Sequence, residues 1–464
     1  MKGFIDDNFL LNTDTARALF HDYAKKMPII DYHCHVNPHD IAVDKRYNSI
    51  TEAWLAGDQC KWRLMRWCGV DEKYITGDAP DHEKFQAFAK SLPSAVGNPL
   101  YHRAHLELQR YFDCDLPLCS ETADEIWRTC NRTLRRRLSA REMIRLSNVE
   151  VLSTTCDPID NLDAFKKIAG DNRFHAKVLP TFRPDKAVAV NDAGYAEYIQ
   201  TLSDVCRLPI LTYDDLLDAL ASRLDYFVSC GCRLSDHSLD AVPWNFEPFY
   251  CDSIFERAMQ GEKLTGQEAE AFQTAVMLSL GKEYANRGIV MQVHYNALRN
   301  VNPVFHRTLG QDAGFDCINT NNNSMQLAFY LGALEKTGTL PKTILYSLNP
   351  NDNAMLTCMA GCFQQAGILG KVQHGSAWWF NDTKHGIRSH LTTLAEMSIL
   401  GRFIGTFTDS RDFMSYTKHE YFRRILCDLI GEWIENGEYR SDILLAGKIV
   451  EDISHNNAAE YLGL

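Results

Sequence analysis

Met27-Pro28-Ile29-Ile30-Asp31-Tyr32-His33-Cys34-His35 is the stretch from which the fold is best read. Its apolar start predicts a β-strand over 29–33, and along a strand alternate side chains share a face. His33 and His35 therefore point the same way at a strand's end. Of sixteen histidines in the chain, these two have a geometric reason to act together, as half of a metal site. Barrel enzymes carry their active sites at the carboxyl ends of their strands, so the same kind of strand is sought further along.

Seven more β-type runs follow, at 149–153, 176–181, 231–235, 289–294, 343–347, 372–374 and 403–408. Helical periodicity fills the gaps between them, at 216–227, 268–284, 324–334, 354–365 and 391–399. A last helix is expected over 418–436, with Gly437 as its stop. Eight strands alternating with helices predict a parallel α/β architecture, and eight is the number that closes a TIM barrel. A doubly wound open sheet is the competing reading, weakened because no Gly-x-Gly-x-x-Gly turn follows any of the runs. The first connection is unusual: 38–145 has helical character and no clear strand. It predicts a helical insertion capping the mouth of a single barrel domain spanning 1–464. The connection after the fourth strand is also long and holds an aromatic patch at 244–250.

The bulk numbers exclude several classes of partner. The chain has 464 residues, 45% of them apolar, and a formal net charge of −12. An acidic chain without a long basic stretch is a poor nucleic-acid binder, and Arg135-Arg136-Arg137 reads as a solvated helix face. No apolar stretch is long enough to span a bilayer, so no membrane partner is expected. Asp6 and Asp7 stand where a signal peptide needs an apolar core. Fifteen scattered cysteines, an odd number, form no disulfide framework, and the spacing Cys230-Gly231-Cys232 is not that of a zinc knuckle. The expected compartment is the cytoplasm, with reduced thiols.

Polar groups gather at the strand ends. His33, His35 and, after the eighth strand, Asp409 offer two nitrogens and a hard oxygen, with room left for substrate or water. His294 at the end of the fifth strand could add a fourth ligand. Zn is the default for such a set, and Mn, Fe or Ni also suit it. Arg183, Arg299 and Arg411 follow the third, fifth and eighth strands; their forked donors match a carboxylate and point to an anionic substrate. Each could instead neutralise a nearby acid such as Asp185 or Asp412. Trp378 and Trp379, after the seventh strand, could form a flat wall for a sugar ring or pack in the core.

These motifs resemble the uronate isomerase (glucuronate isomerase) family of the amidohydrolase superfamily. The likeness runs from Asp31-Tyr32-His33-Cys34-His35 through Gly97-Asn98-Pro99-Leu100-Tyr101-His102, Arg183-Pro184-Asp185-Lys186 and Ser235-Asp236-His237. It continues through Ala297-Leu298-Arg299-Asn300, Pro341-Lys342-Thr343-Ile344-Leu345-Tyr346 and Trp378-Trp379-Phe380-Asn381-Asp382. It ends with Thr408-Asp409-Ser410-Arg411 and Lys418-His419-Glu420-Tyr421-Phe422-Arg423-Arg424. The resemblance implies a distorted (β/α)8 barrel with one divalent metal on His33, His35 and Asp409. It implies interconversion of D-glucuronate with D-fructuronate and of D-galacturonate with D-tagaturonate, a step of carbohydrate metabolism. Arg183 and Arg411 would face the substrate, Arg299 and the tryptophan pair would shape the pocket, and a homo-oligomer is implied.

One departure stands out. Where the family typically reads Gly-Asp-His-Tyr-Lys-Trp-Arg, this chain has Gly57-Asp58-Gln59-Cys60-Lys61-Trp62-Arg63. Gln59 can hydrogen-bond a substrate but cannot be charged, and Cys60 becomes a candidate substitute acid or base. In the chemistry implied, Asp409 is the first candidate for the base, Arg411 stabilises the developing oxyanion, and Arg183 or Arg299 grips the distal carboxylate. Two other readings compete. One is a metal-dependent hydrolase, disfavoured because 230–235 offers no lysine for a bridged two-metal site. The other is a catalytically impaired sugar-acid-binding homologue, with the Gln59-Cys60 change as its support.

Overall fold

The computed structural model describes residues 3–245 and 250–464. Residues 246–249 of the aromatic patch lie outside them. Seven parallel strands form the main sheet: β1 Ile29–Cys34, β2 Val149–Cys156, β3 Lys177–Phe182, β4 Leu234–Ser238, β5 Val290–Tyr295, β8 Thr343–Ser347 and β9 Val372–His374. They pair in chain order, 1-2-3-4-5-8-9. A doubly wound sheet reverses its strand order at a switch point, so this sequence of pairings excludes it. A two-residue antiparallel ladder, β6 Ala297–Leu298 with β7 Cys317–Ile318, stands apart and was not foreseen.

The runs at 343–347 and 372–374 form strands with those bounds. The run at 231–235 is corrected: its strand begins only at Leu234. The helix Tyr213–Ser229 ends just before, Gly231 turns the chain at φ +93°, and the Cys232 N–H still donates back to the Phe227 carbonyl at 3.0 Å. Asp236 and His237, expected to follow the strand, lie inside it.

The eighth run, 403–408, is not a regular strand. Gly405 has φ +77°, and a Cβ there would come within 2.3 Å of the Ile453 carbonyl oxygen. Only glycine fits that place and conformation without strain. The segment is nevertheless bonded on both sides. Tyr32 on β1 donates its hydroxyl to the Gly405 carbonyl at 2.9 Å, the Asp409 N–H donates to the His33 carbonyl at 3.1 Å, and the His35 N–H donates to the Ser410 carbonyl at 2.8 Å. Towards β9, Gln373 Nε2 donates to the Arg402 carbonyl at 3.2 Å and Ser376 bonds Thr406 at 3.1 Å.

The helices expected between strands are present, with shifted ends. Thr212 and Thr265 start two of them with reciprocal capping boxes, and Gly288 ends the second in the left-handed region. Between β1 and β2 the chain forms seven α-helices and, among the described residues, no strand. Three of the helices, Ile50–Trp54, Asp81–Ser91 and Pro99–Phe112, bury Trp54, Phe85, Phe88 and Leu108 in one core with the sheet residues Leu152 and Met291. Trp54 meets Phe88 edge-on at 5.4 Å. Truncating either ring to alanine would cost about 3–5 kcal/mol. No helix among the described residues is long and apolar enough to cross a membrane.

Candidate active site

A cavity of about 1630 Å³ opens at the carboxyl ends of the parallel strands. The pleat of β1 carries His33 into it, buried to 2%, and His35 follows just past the strand's end. Asp409 comes from the irregular segment beside β1, with φ +50°. His33 Nε2 lies 3.4 Å and His35 Nε2 3.1 Å from the same Asp409 oxygen, Oδ1. The indole N–H of Trp378 donates to the other oxygen, Oδ2, at 3.0 Å. Burial alone would push the Asp409 carboxyl up. The hydrogen bonds and charges of His33 and His35 outweigh it and hold the group well below the usual carboxylate range. Burial pushes His35 down to about 4 against the pull of Asp409.

His294 reaches the same floor from β5. Its ring stacks on Tyr346 at 4.1 Å and lies 4.6 Å from the His33 ring. Its Nδ1 is 2.7 Å from Asp236 Oδ1, and its Nε2 has no hydrogen-bond partner. His33 Nδ1 likewise has none. Two triads, His33–His35–Asp409 and His33–Asp236–His294, each bring three ligand atoms within 4.8 Å of one another. A nitrogen-rich donor set beside one carboxylate, with a buried imidazole nitrogen left over, fits a divalent ion. Second partners fix the rings, Thr155 Oγ1 on His35 Nδ1 at 2.6 Å and Asp236 on His294, as metal-site histidines require.

All three candidate arginines line this cavity, and each also meets an acid. Arg183 Nε donates to Asp185 at 2.7 Å, and its Nη1 lies 3.2 Å from Asp236 Oδ2. Arg299 donates to Asp316 at 3.1 Å and to Ser238 Oγ at 2.7 Å, with its guanidinium 5.2 Å over the Trp379 ring. Arg411 donates to Asp312 at 3.0 Å, not to Asp412. Gln59 and Cys60 begin the helix Gln59–Trp67 and line the cavity too. The Gln59 Oε1 is buried without a partner. Burial pushes the Cys60 thiol up to about 11.

Sequence reasoning missed Asp236, Thr155 and the buried cluster around Lys61. Asp236 was visible as a residue but assigned to a loop, because the strand was started three positions early. Lys61 donates to Asp58 at 2.7 Å and lies 4.0 Å from Glu107, whose carboxyl burial pushes up to about 7.

The fold and cavity define an α/β protein with a polar site, compatible with a metal ion, at the mouth of a curled parallel sheet. The glucuronate isomerase family model matches residues 1–462, and the chain belongs to that family. It is 51% identical to the uronate isomerase of Lachnospira eligens, over all of this chain and 99% of that one, and 49% identical to that of Clostridium acetobutylicum, over 99% of each. The crystal structure of the Thermotoga maritima uronate isomerase superposes with a TM-score of 0.93 at 34% identity, covering 99% of this chain and all of that one. The Caulobacter crescentus glucuronate isomerase shares the fold, with a TM-score of 0.92 at 22% identity over 99% of this chain and 97% of that one.

Proposed function

We propose that this chain is a hexuronate aldose–ketose isomerase, converting D-glucuronate to D-fructuronate and D-galacturonate to D-tagaturonate. The observation that carries the reading is full-length membership of the family together with His33, His35 and Asp409 converging in one arginine-lined cavity. His33, His35 and Asp409 would hold one divalent ion, Zn by default, with His294 as a further ligand. Such an ion supplies Lewis-acid polarisation of a carbonyl oxygen.

The reaction moves a carbonyl from C1 to C2 of the open-chain sugar acid through a cis-enediol. The Asp409 carboxylate takes the proton from C2 and returns one to C1 on the same face, while the O2 hydroxyl proton passes to O1. The Trp378 N–H keeps its second oxygen in place for both transfers. Arg411 faces the oxygen on which negative charge develops, and Arg183 or Arg299 holds the distal carboxylate. Cys60, with its thiol protonated at neutral pH, can only donate a proton; Cys60→Ala with unchanged turnover would remove it from the mechanism. Gln59 contributes a neutral hydrogen-bonding amide.

The wider organisation follows from the same reading. The segment 403–410 stands in for the eighth strand and closes a distorted (β/α)8 barrel of the amidohydrolase type. Residues 38–145 form a cap on a single domain spanning 1–464. A homo-oligomer follows from the family resemblance alone, and fifteen free cysteines support the cytoplasm. The test is turnover of glucuronate and galacturonate alongside metal analysis of the same preparation. Ketose formation that tracks bound metal supports the proposal. Uronate binding without conversion rejects it in favour of a non-catalytic sugar-acid binder.

A further inference from the structure

Thr408 has every polar group of its backbone and side chain held by a buried or half-buried partner. Its N–H donates to Asp31 Oδ1 at 2.7 Å and its hydroxyl to Asp31 Oδ2 at 2.6 Å. Its carbonyl accepts from Lys418 Nζ at 2.5 Å. Asp31 is wholly buried and Thr408 is 1% exposed. The imidazole of His419 closes the cluster, its Nε2 3.7 Å from Asp31 Oδ1. Asp31 sits on β1, two residues before His33, where the ladder to β2 loses its regular register between Asp31 and Cys34.

The next residue is Asp409, a non-glycine at φ +50°. An L-residue holds that conformation at a cost, so its surroundings must fix it. Outside any regular strand, two backbone bonds tie the segment to β1, from the Asp409 N–H to the His33 carbonyl and from the His35 N–H to the Ser410 carbonyl. The buried Asp31 carboxylate adds two more, accepted from Thr408, which set the direction in which the chain enters residue 409.

We propose that Asp31, acting through Thr408, is the positioning residue for Asp409: it aims that carboxylate at His33 and His35 and so sets the geometry of the ion site and the proton transfer. The inference rests on the reading of Asp409 given above. It assigns to the first residue of the Asp-x-His-x-His run a task distinct from ligation, since both Asp31 oxygens accept bonds from Thr408.

The experiment uses the full chain carrying Asp31→Asn, Thr408→Val or Thr408→Ser, with Asp409→Asn as reference. Zn²⁺ affinity is measured by competition with a chelator, kcat and KM on glucuronate, and melting temperature in metal-free buffer. Loss of the hydroxyl in Thr408→Val is expected to weaken Zn²⁺ binding and to lower kcat, each by about 10- to 100-fold, the range for removing a residue that orients a ligand. KM should stay as in the wild type, Asp31→Asn should move in the same direction, and Thr408→Ser should restore both quantities. Wild-type Zn²⁺ affinity and kcat in Thr408→Val, with only the melting temperature lowered, would overturn the proposal and leave Asp31 a structural clamp. If Asp31→Asn does not fold, the valine and serine variants decide. If Asp409→Asn itself keeps Zn²⁺ and turnover, the fault lies with the role given to Asp409, not with the clamp.

Discussion

His33, Asp236 and His294 on the cavity floor are buried to 2% or less and belong to regular strands, whereas the side chains of Arg411 and Asp312 at the rim are 37% and 54% exposed and come from irregular segments. Asp236 and His294 have their backbones in the parallel ladder, His33 sits on β1 where the ladder to β2 shifts register, and His294 has Asp236 as a side-chain partner. Arg411 at the rim is held by Asp312 in a partly solvated setting, where such a pair contributes little, whereas Arg183 and Arg299 meet the buried acids Asp236 and Asp316. A floor of this kind keeps reacting groups in one geometry. A rim of this kind can exchange an internal carboxylate for that of a substrate at small cost. Fixed chemistry and exchangeable recognition thus occupy two depths of one cavity.

Changes at Asp409, which comes from the irregular segment but meets the floor residue His33, should be the most damaging. Asp409→Asn keeps the shape but removes the proposed base and oxygen ligand. Turnover should fall by about 10²- to 10⁴-fold, with metal content falling in parallel. A variant that retains turnover would place the base elsewhere.

At the rim, Arg299→Met removes a charge-assisted contact of about 1.5–3 kcal/mol. The loss in kcat/KM should be about 10- to 100-fold and lie mainly in KM, the sign of binding shared by ground and transition states. An equal loss in kcat would move Arg299 from recognition to chemistry.

Glu107, buried on the helix Pro99–Phe112, sharpens the contrast through stability. Burial raises its carboxyl from 4.5 to about 7, opposed by Lys61 and reinforced by Asp412 and Asp58. Between those two values the unfolded chain has released the proton and the folded chain still holds it. The folded state therefore binds more protons there, and stability falls as pH rises through the window. Glu107→Gln accepts the same bond from Trp54 and carries no proton. Its melting temperature relative to wild type should rise from about pH 5 to about pH 8. A pH-independent difference would mean that Glu107 stays ionised, paired with Lys61.

The smallest effect is expected for Asp312→Asn, which frees Arg411 from its solvated partner. KM should change by less than about fivefold, the scale of an exposed pair. A larger change would make that pair a latch for the loop above the cavity.

Much of this was legible in the chain itself. His33 and His35 announced themselves because a strand's period of two puts them on one face, and Asp409 because it ends a run of strand character next in a closed ring. The strand 343–347 is legible because Thr343, Ile344 and Tyr346 are β-branched or aromatic, and 372–374 has the bounds its sequence suggests although only Val372 is β-branched. Asp236 was missed because Gly231 and Cys232 read as strand when they form the turn before it. The segment 403–408 has a strand's composition, but Gly405 meets the Ile453 carbonyl from far along the chain, which no local pattern reveals. The acids that partner Arg299 and Arg411, Asp316 and Asp312, come from a loop whose placement depends on tertiary contacts. The tryptophan pair reads equally as a wall for a sugar ring or as core packing, and the bond from Trp378 to Asp409 depends on a rotamer.

The claim on which the rest depends is that the two ends of the chain grip one ion. Anomalous diffraction from crystals grown with Zn²⁺ tests it most directly. The account predicts one strong peak within about 2.0–2.2 Å of His33 Nε2, His35 Nε2 and an Asp409 oxygen. No peak in the cavity, or a peak that leaves Asp409 outside coordination distance, would contradict it.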